Sequence, residues 1–425
     1  MPPPVLVVRP DHADGIYALD EKVTWTVEVK SGDRAALKAV PYVVKKDAQD
    51  VLAEGTLDLS ASSATVTVSR PEPGALLAFF NSPDPSQDPK KPLALGGALV
   101  APFQIAPAAP APADFDAFWK EKLEAVAAVP PNPVLEKGTL DGVPNSEGID
   151  YYKVTLDNVE GTHVRGQLAR PTSGDKFPAI LVVQWAGVYP LQKAWVTGLA
   201  KEGFLVLNIE AHDIPIDEPQ AFYDDLKNNA LKNYTSIGAE SRETAYFLRM
   251  FQRDIQAATY LTSRPDWDGK TLIVTGTSQG GLQSFATAAL FPKVTHMMVL
   301  VPAGCDVLGP YAQPPRAASW PNWYWFAGDK EKIKATSAYF DPVYFASRIP
   351  CPALVAPGLL DETARPGGIL AAFNALPNPG KELVPMPFSP HQNIDNSQTP
   401  YGVRASAWRA AIKAGKPIPP PAPAP

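Results

Sequence analysis

The apolar positions of this chain change rhythm about a quarter of the way along. Up to residue 105 they recur in short runs at period two. Residues 23–29 (VTWTVEV) alternate strictly, and residues 39–44, 56–59, 64–68 and 76–80 are further runs. Alternation of this kind puts every second side chain on one face of a strand. Gly, Pro, Asp and Ser separate the runs, and no helical periodicity appears before residue 112. The pattern predicts a small all-β, immunoglobulin-like sandwich over residues 1–105.

Residues 106–113 (APAAPAPA) break the composition and read as a Pro/Ala linker. Residues 114–129 then carry Phe115, Phe118, Trp119, Leu123 and Val126 at helical spacing. Further on, residues 180–185, 204–209, 272–275, 297–301 and 353–356 are continuous apolar runs. Such runs fit strands buried on both faces of a parallel sheet. Residues 243–263 lie among them with Phe247, Leu248, Phe251, Ile255 and Ala258 on one helix face. Strands alternating with helices predict an α/β fold with a doubly wound, mostly parallel sheet over residues 114–416. Its ligands are expected beyond the carboxyl ends of the strands. Residues 417–425 form a Pro/Ala tail expected to be extended and poorly packed.

Composition narrows the function classes. The chain has 425 residues, 45% hydrophobic and 19% charged, with a net charge of -6. That is a globular balance with more than one domain. No basic stripe is visible, so nucleic acid is not an expected partner. No apolar run reaches membrane-span length, so neither is a membrane. Cys305 and Cys351, the two cysteines, sit in or beside apolar runs and read as buried small hydrophobes. The start, MPPPVLVV, lacks the charged region and long apolar stretch of a secretion signal. The expected location is cytoplasmic, or secreted or periplasmic if a signal has been removed ahead of Met1.

The chemistry concentrates at Gly276-Thr277-Ser278-Gln279-Gly280-Gly281, between the run 271–275 and the helix-like residues 282–290. Strand, Gly-x-Ser-x-Gly, helix is a nucleophile elbow, which presents a serine at the top of an α/β-hydrolase sheet. The serine needs a histidine base, and the histidine needs a carboxylate to fix its tautomer. Two histidines follow Ser278. His296 begins the run MMVLV, at the wrong end of its strand, whereas His391 lies in a loop after residues 383–388. Asp361 follows the strand-like residues 353–360 and is the expected acid, with Glu362 and Asp306 as rivals and Asp341 read as a turn cap before Pro342. An oxyanion hole needs two backbone N–H groups. Gln279 supplies one, and Val188, after Gly187 in the loop QWAGV, is the candidate for the other. Trp185, Tyr189 and His212 are candidates for the pocket, as are Trp320 and Trp323 in the aromatic segment WPNWYWF. No phosphate loop, dinucleotide fingerprint or metal motif occurs.

From about residue 114 to 408 the chain resembles the acetyl xylan esterase and cephalosporin C deacetylase family of carbohydrate esterases. DFDAFW, VVQWAG, GTSQGG, YFDPVYFA and GLLDETARP with AAFNAL beyond it carry the likeness, in the family's order. The resemblance implies an α/β-hydrolase fold and a triad of Ser278, Asp361 and His391. It implies removal of acetyl groups from carbohydrate or small esters, with neither metal nor organic cofactor. It also leaves a homo-oligomer open, the family being usually hexameric. Three features depart from the family. Its Arg-Gly-Gln is replaced by Ala211-His212-Asp213-Ile214, its His-Glu by His391-Gln392, and the N-terminal β region is an addition. An Arg165-Gly166-Gln167 occurs earlier, ahead of the oxyanion strand, and reads as coincidence. A serine peptidase or broader acyl hydrolase would use the same elbow, and a silent glycan-binding protein the same scaffold.

Overall fold

The computed structural model describes residues 4–88 and 90–421, so the last four residues of the expected tail lie outside the described residues. The larger part is built on one nine-stranded sheet. Its order is Glu382–Leu383, Ala353–Ala356, His296–Leu300, Trp267–Thr277, Phe177–Val183, Leu205–Ile209, His163–Pro171, Ile149–Asp157, Val134–Lys137. The first six run parallel, and the last three join antiparallel. This is the mixed α/β architecture that the resemblance implies, and its mostly parallel sheet is what the alternating runs predict.

Burial follows the sequence pattern. Leu205–Ile209 and Ala353–Ala356 are buried at every position. The helix Tyr246–Ser263 packs Phe247 and Phe251 beside Trp119 and Phe118 of the helix Phe115–Ala127, in one continuous apolar core. On the other face, the helices Ala194–Lys201 and Thr399–Lys413 bring Val196 and Trp408 against Ile180, Ile273 and Leu354. Each such side chain contributes roughly 1.5–3 kcal/mol on burial.

The N-terminal residues form a three-stranded and a five-stranded sheet around a separate core containing Val23, Trp25, Leu76 and Phe80. In the strand Ala94–Val100 two adjacent glycines serve opposite neighbours. A Cβ on Gly96 would meet Trp25 at 2.9 Å, and one on Gly97 would meet the Leu359 carbonyl at 2.4 Å. Strand side chains alternate faces, so one glycine admits the N-terminal core and the other admits the larger body. Ala75 and Leu99 belong to the large core. A small cavity of about 30 Å³ lies at this seam, lined by Leu76, Leu77, Asp306, Asp361 and Arg365 among others.

Residues 106–113 run along the larger body. The Ala106 and Ala109 carbonyls accept from Arg316 and Tyr344, and the Ala108 N–H donates to Asp306 at 2.8 Å. The described start of the tail, residues 417–421, has no regular secondary structure and is exposed except at Ile418, but it is tethered. Arg404 donates to the Pro419 and Pro420 carbonyls, and Ile418 packs on the core. Proline removes donors from a segment but leaves its carbonyls free to accept.

Candidate active site

The strand Trp267–Thr277 lies at the centre of the parallel sheet, with Gly276 opposite both Val183 and Val299. It ends at Ser278, whose φ of 58° and ψ of -117° lie outside the regions L-residues favour, and the helix Gln279–Leu290 follows at once. Such a conformation costs of order 1–3 kcal/mol and persists only where its surroundings hold it. Here the Ser278 N–H donates to the Leu300 carbonyl at 3.0 Å, and its own carbonyl accepts from Gly281 and Ala303. The crossing of strand and helix requires bare backbone. A Cβ on Gly276 would lie 2.4 Å from the Gly280 backbone, and one on Gly280 2.4 Å from the Val183 carbonyl.

Two further loops meet this turn. Past Ala353–Ala356 the chain bridges Gly358 to Met386, and the Leu360 N–H donates to the Ser389 carbonyl at 3.0 Å. The loops of Asp361 and His391 are thus tied to each other. Asp361 is buried, and its Oδ1 accepts from the Thr363 and Ala364 N–H groups at 2.8 Å each. Its Oδ2 lies 2.8 Å from His391 Nδ1, and His391 Nε2 lies 2.9 Å from Ser278 Oγ. A carboxylate only accepts, so Nδ1 carries the proton and Nε2 offers a lone pair to the serine hydroxyl.

The rivals lie elsewhere. Glu362 is exposed, 3.8 Å from Arg365. Asp306 is paired with Arg316 and the Ala108 N–H. Asp341 caps the helix Pro342–Ala346, accepting from Val343 and also from Asp306 and Val307. His296 starts its strand at the far end and packs against Trp408. Cys305 and Cys351 are free and buried, and burial pushes both thiols up, Cys351 to about 11.

Among the described residues, no acceptor takes the Gln279 or the Val188 N–H. Gln279 follows Ser278 directly, and the strand that leads to Val188 pairs with the strand that ends at Ser278. Gln283 Nε2 holds the Gln184 carbonyl at 2.9 Å, which fixes the base of the QWAGV loop to the elbow helix. Gly187 in that loop has φ 139°, which favours glycine. The Val188 side chain is buried against Ile214 and Tyr223.

The aromatic candidates separate. Trp185 is 38% exposed and stacks on Tyr189 at 5.4 Å, while Trp195 meets it edge-on at 4.7 Å. Tyr189 donates its hydroxyl to the Trp185 carbonyl at 2.8 Å. Trp320 is half-buried, and its backbone N–H donates to the Thr363 carbonyl, beside the acid. Trp323 does not line an open pocket. It is buried among Phe247, Phe326 and Phe340, because its plane completes an aromatic cluster of the core. His212 is also wholly buried, behind the QWAGV loop rather than facing the pocket.

A polar layer lies beneath the site, and of its members only His212 stands out in the sequence. Tyr234 donates to Gln279 Oε1, Tyr246 meets His212, and Glu210 is buried with Oε1 unpaired. Burial pushes the Glu210 carboxyl well above its usual range and the His212 imidazole down to about 4. Glu210 and His212 stand directly after a predicted strand; Tyr234 and Tyr246 come from a loop and helix that no local pattern links to them. Among the described residues, no three His, Cys, Asp or Glu side chains gather as a metal site.

A model of the acetyl xylan esterase family (AXE1) matches residues 103–406. The chain belongs to this family. It is a carboxylic-ester hydrolase. Acetyl esterase Axe7A of Xylanibacter ruminicola is 28% identical over 397 residues, which cover 92% of this chain and 87% of that protein. Acetyl xylan esterase 1 from Thermoanaerobacterium sp. JW/SL YS485 shares the fold at a TM-score of 0.62 and 21% identity, over 72% of this chain and 96% of its own. The acetyl xylan esterase from Paenibacillus sp. R4 does so at 0.60 and 21%, over 74% and 98%. Both solved structures are covered almost in full, while over a quarter of this chain stays unmatched. Where the family has Arg-Gly-Gln, His212 is buried and Asp213 pairs with Arg165 at 3.0 Å; Gln392, in place of the family's Glu, is exposed.

Proposed function

We propose that this chain removes acetyl groups from carbohydrate through Ser278, His391 and Asp361. Ser278 Oγ attacks the ester carbonyl while His391 Nε2 takes its proton. Asp361 holds Nδ1–H and steadies the imidazolium. The Gln279 and Val188 N–H groups receive the oxyanion. His391 then returns the proton to the departing sugar oxygen, and water releases acetate from the acyl-enzyme by the same steps in reverse.

The observation that carries this reading is the continuous chain from Ser278 Oγ through His391 to Asp361, at 2.9 and 2.8 Å, placed at the carboxyl ends of three strands. The acetyl and carbohydrate preference is supported by the family and by the relative called acetyl esterase. The Trp185–Tyr189 stack beside the oxyanion loop offers a flat wall for a sugar face. The chain is expected to release acetate from acetylated xylo-oligosaccharides, and Ser278→Ala to fold but abolish the release. Full activity in that variant, or no adduct of a fluorophosphonate at Ser278, would refute the proposal.

A further inference from the structure

We infer that His212 is a positioning residue that sets the direction of the Val188 N–H, and with it one half of the oxyanion hole. The inference rests on the serine-esterase reading above.

His212 follows the strand Leu205–Ile209, which lies beside the strand that leads into the QWAGV loop. Its Nε2 is 2.9 Å from the Gly187 carbonyl oxygen. A carbonyl only accepts, so Nε2 carries the proton. Nδ1 is therefore an acceptor, and Tyr246 donates its hydroxyl to it at 2.7 Å. Burial keeps the ring neutral at neutral pH, so this tautomer persists.

The Gly187 carbonyl and the Val188 N–H belong to one peptide unit. In a planar trans peptide the two point in opposite directions. A proton donated to the oxygen from behind the loop therefore turns the N–H toward the other side. Gly187, at φ 139°, lacks the Cβ that would otherwise limit this rotation. The hydrogen bond from His212 supplies the restraint that a side chain at Gly187 cannot.

The second donor is tied to the same layer. His212 meets the Tyr234 ring edge-on at 4.7 Å, and Tyr234 donates to the Gln279 side chain. His212, Tyr234 and Tyr246 thus join the loop of one oxyanion donor to the residue bearing the other.

The test compares His212→Leu, His212→Gln and Tyr246→Phe with the wild type. His212→Leu removes the donor, and His212→Gln places an amide N–H near the position of Nε2. Tyr246→Phe keeps the Nε2–H and removes the hydroxyl that holds Nδ1, so it loosens the ring behind the Gly187 carbonyl. The readouts are kcat and KM on p-nitrophenyl acetate and the rate at which a fluorophosphonate labels Ser278, with circular dichroism to confirm folding. Losing a whole oxyanion donor costs about 10²–10³ in kcat, so a misdirected one should cost about 10–10². His212→Leu is expected to lose that much kcat and labelling rate at a KM within about threefold of wild type. His212→Gln should recover most of it. A folded His212→Leu with kcat within about twofold of wild type, or with the loss confined to KM, overturns the inference. If His212→Leu does not fold, Tyr246→Phe decides: a several-fold drop in kcat at constant KM supports the inference, and an unchanged kcat overturns it. Absence of any label at Ser278 in the wild type is a distinct outcome, which overturns the esterase reading and this inference with it.

Discussion

Replacing Asp361 with asparagine should leave the fold standing and remove nearly all turnover. The carboxylate is buried, with Oδ1 on the Thr363 and Ala364 N–H groups at 2.8 Å each and Oδ2 on His391 Nδ1 at 2.8 Å. An asparagine amide has one oxygen and one NH₂ to place there. Turning the NH₂ toward Thr363 and Ala364 would leave one buried and one half-buried N–H unpaired, at about 1–3 kcal/mol for the buried one. The oxygen therefore stays on the backbone and the NH₂ faces His391. His391 must then offer a lone pair at Nδ1, so its proton moves to Nε2, opposite Ser278 Oγ. The imidazole can no longer accept the serine proton. A tautomer error of this kind costs about 10⁴ in kcat in a serine triad, or roughly 5.4 kcal/mol at 1.36 kcal/mol per tenfold. Acetate release and p-nitrophenyl acetate hydrolysis should both fall by about that factor, with thermal unfolding little changed. Glu362→Gln is the control, because Glu362 is exposed and reaches only Arg365, at 3.8 Å. Asp361→Asn turnover within about tenfold of wild type, or an equal loss in Glu362→Gln, would refute the reasoning.

Ser278→Gly should be more stable than Ser278→Ala by about 1 kcal/mol, since glycine relieves the strain of φ 58° and ψ -117° at a partly offsetting cost in chain entropy. Calorimetric melting of the two variants measures this, and equal Tm values would show the turn to be unstrained. Stability should also fall in mild acid on account of His212. Its folded pKa is pushed down to about 4 by burial, against 6.5 unfolded, so the unfolded chain binds the proton first as pH drops. The contribution is full above pH 6.5 and is lost between 6.5 and about 4, at most about 3–4 kcal/mol. Urea unfolding at pH 7 and pH 4.5 should therefore show a smaller loss in His212→Gln than in wild type, and identical losses would contradict the assignment.

The sequence was most legible where one local pattern sufficed. The predicted runs 180–185, 204–209, 272–275, 297–301 and 353–356 overlie the strands Phe177–Val183, Leu205–Ile209, Trp267–Thr277, His296–Leu300 and Ala353–Ala356. Burial on both faces leaves such strands almost purely apolar. The strands Ile149–Asp157 and His163–Pro171 escaped notice because partly exposed residues interrupt their apolar ones. Ala94–Val100 (ALGGALV) escaped because alanine and glycine carry little strand preference. The run before His391 is a two-residue strand, Glu382–Leu383, since Pro385 and Pro387 cannot donate to a ladder. Ser278, Asp361 and His391 were legible as single residues after strands. His212 was legible in the same way, just past a strand, but its partners Tyr234 and Tyr246 were not, because only the tertiary fold brings a strand end, a loop and a helix to one point.

The paired glycines at 96 and 97 also bear on the order in which the molecule comes together. Leu359, whose carbonyl sits against Gly97, is made roughly 260 residues later, so this contact has high sequence separation and is slow to form. On the ribosome the N-terminal sheets emerge early, with the face around Gly97 still uncovered. That face finds its partner only when the segment carrying Asp361 has been synthesised. The cover over Gly97 thus arrives with the acid, after the seam contacts of residues 305–319, and the triad is complete only when His391 follows.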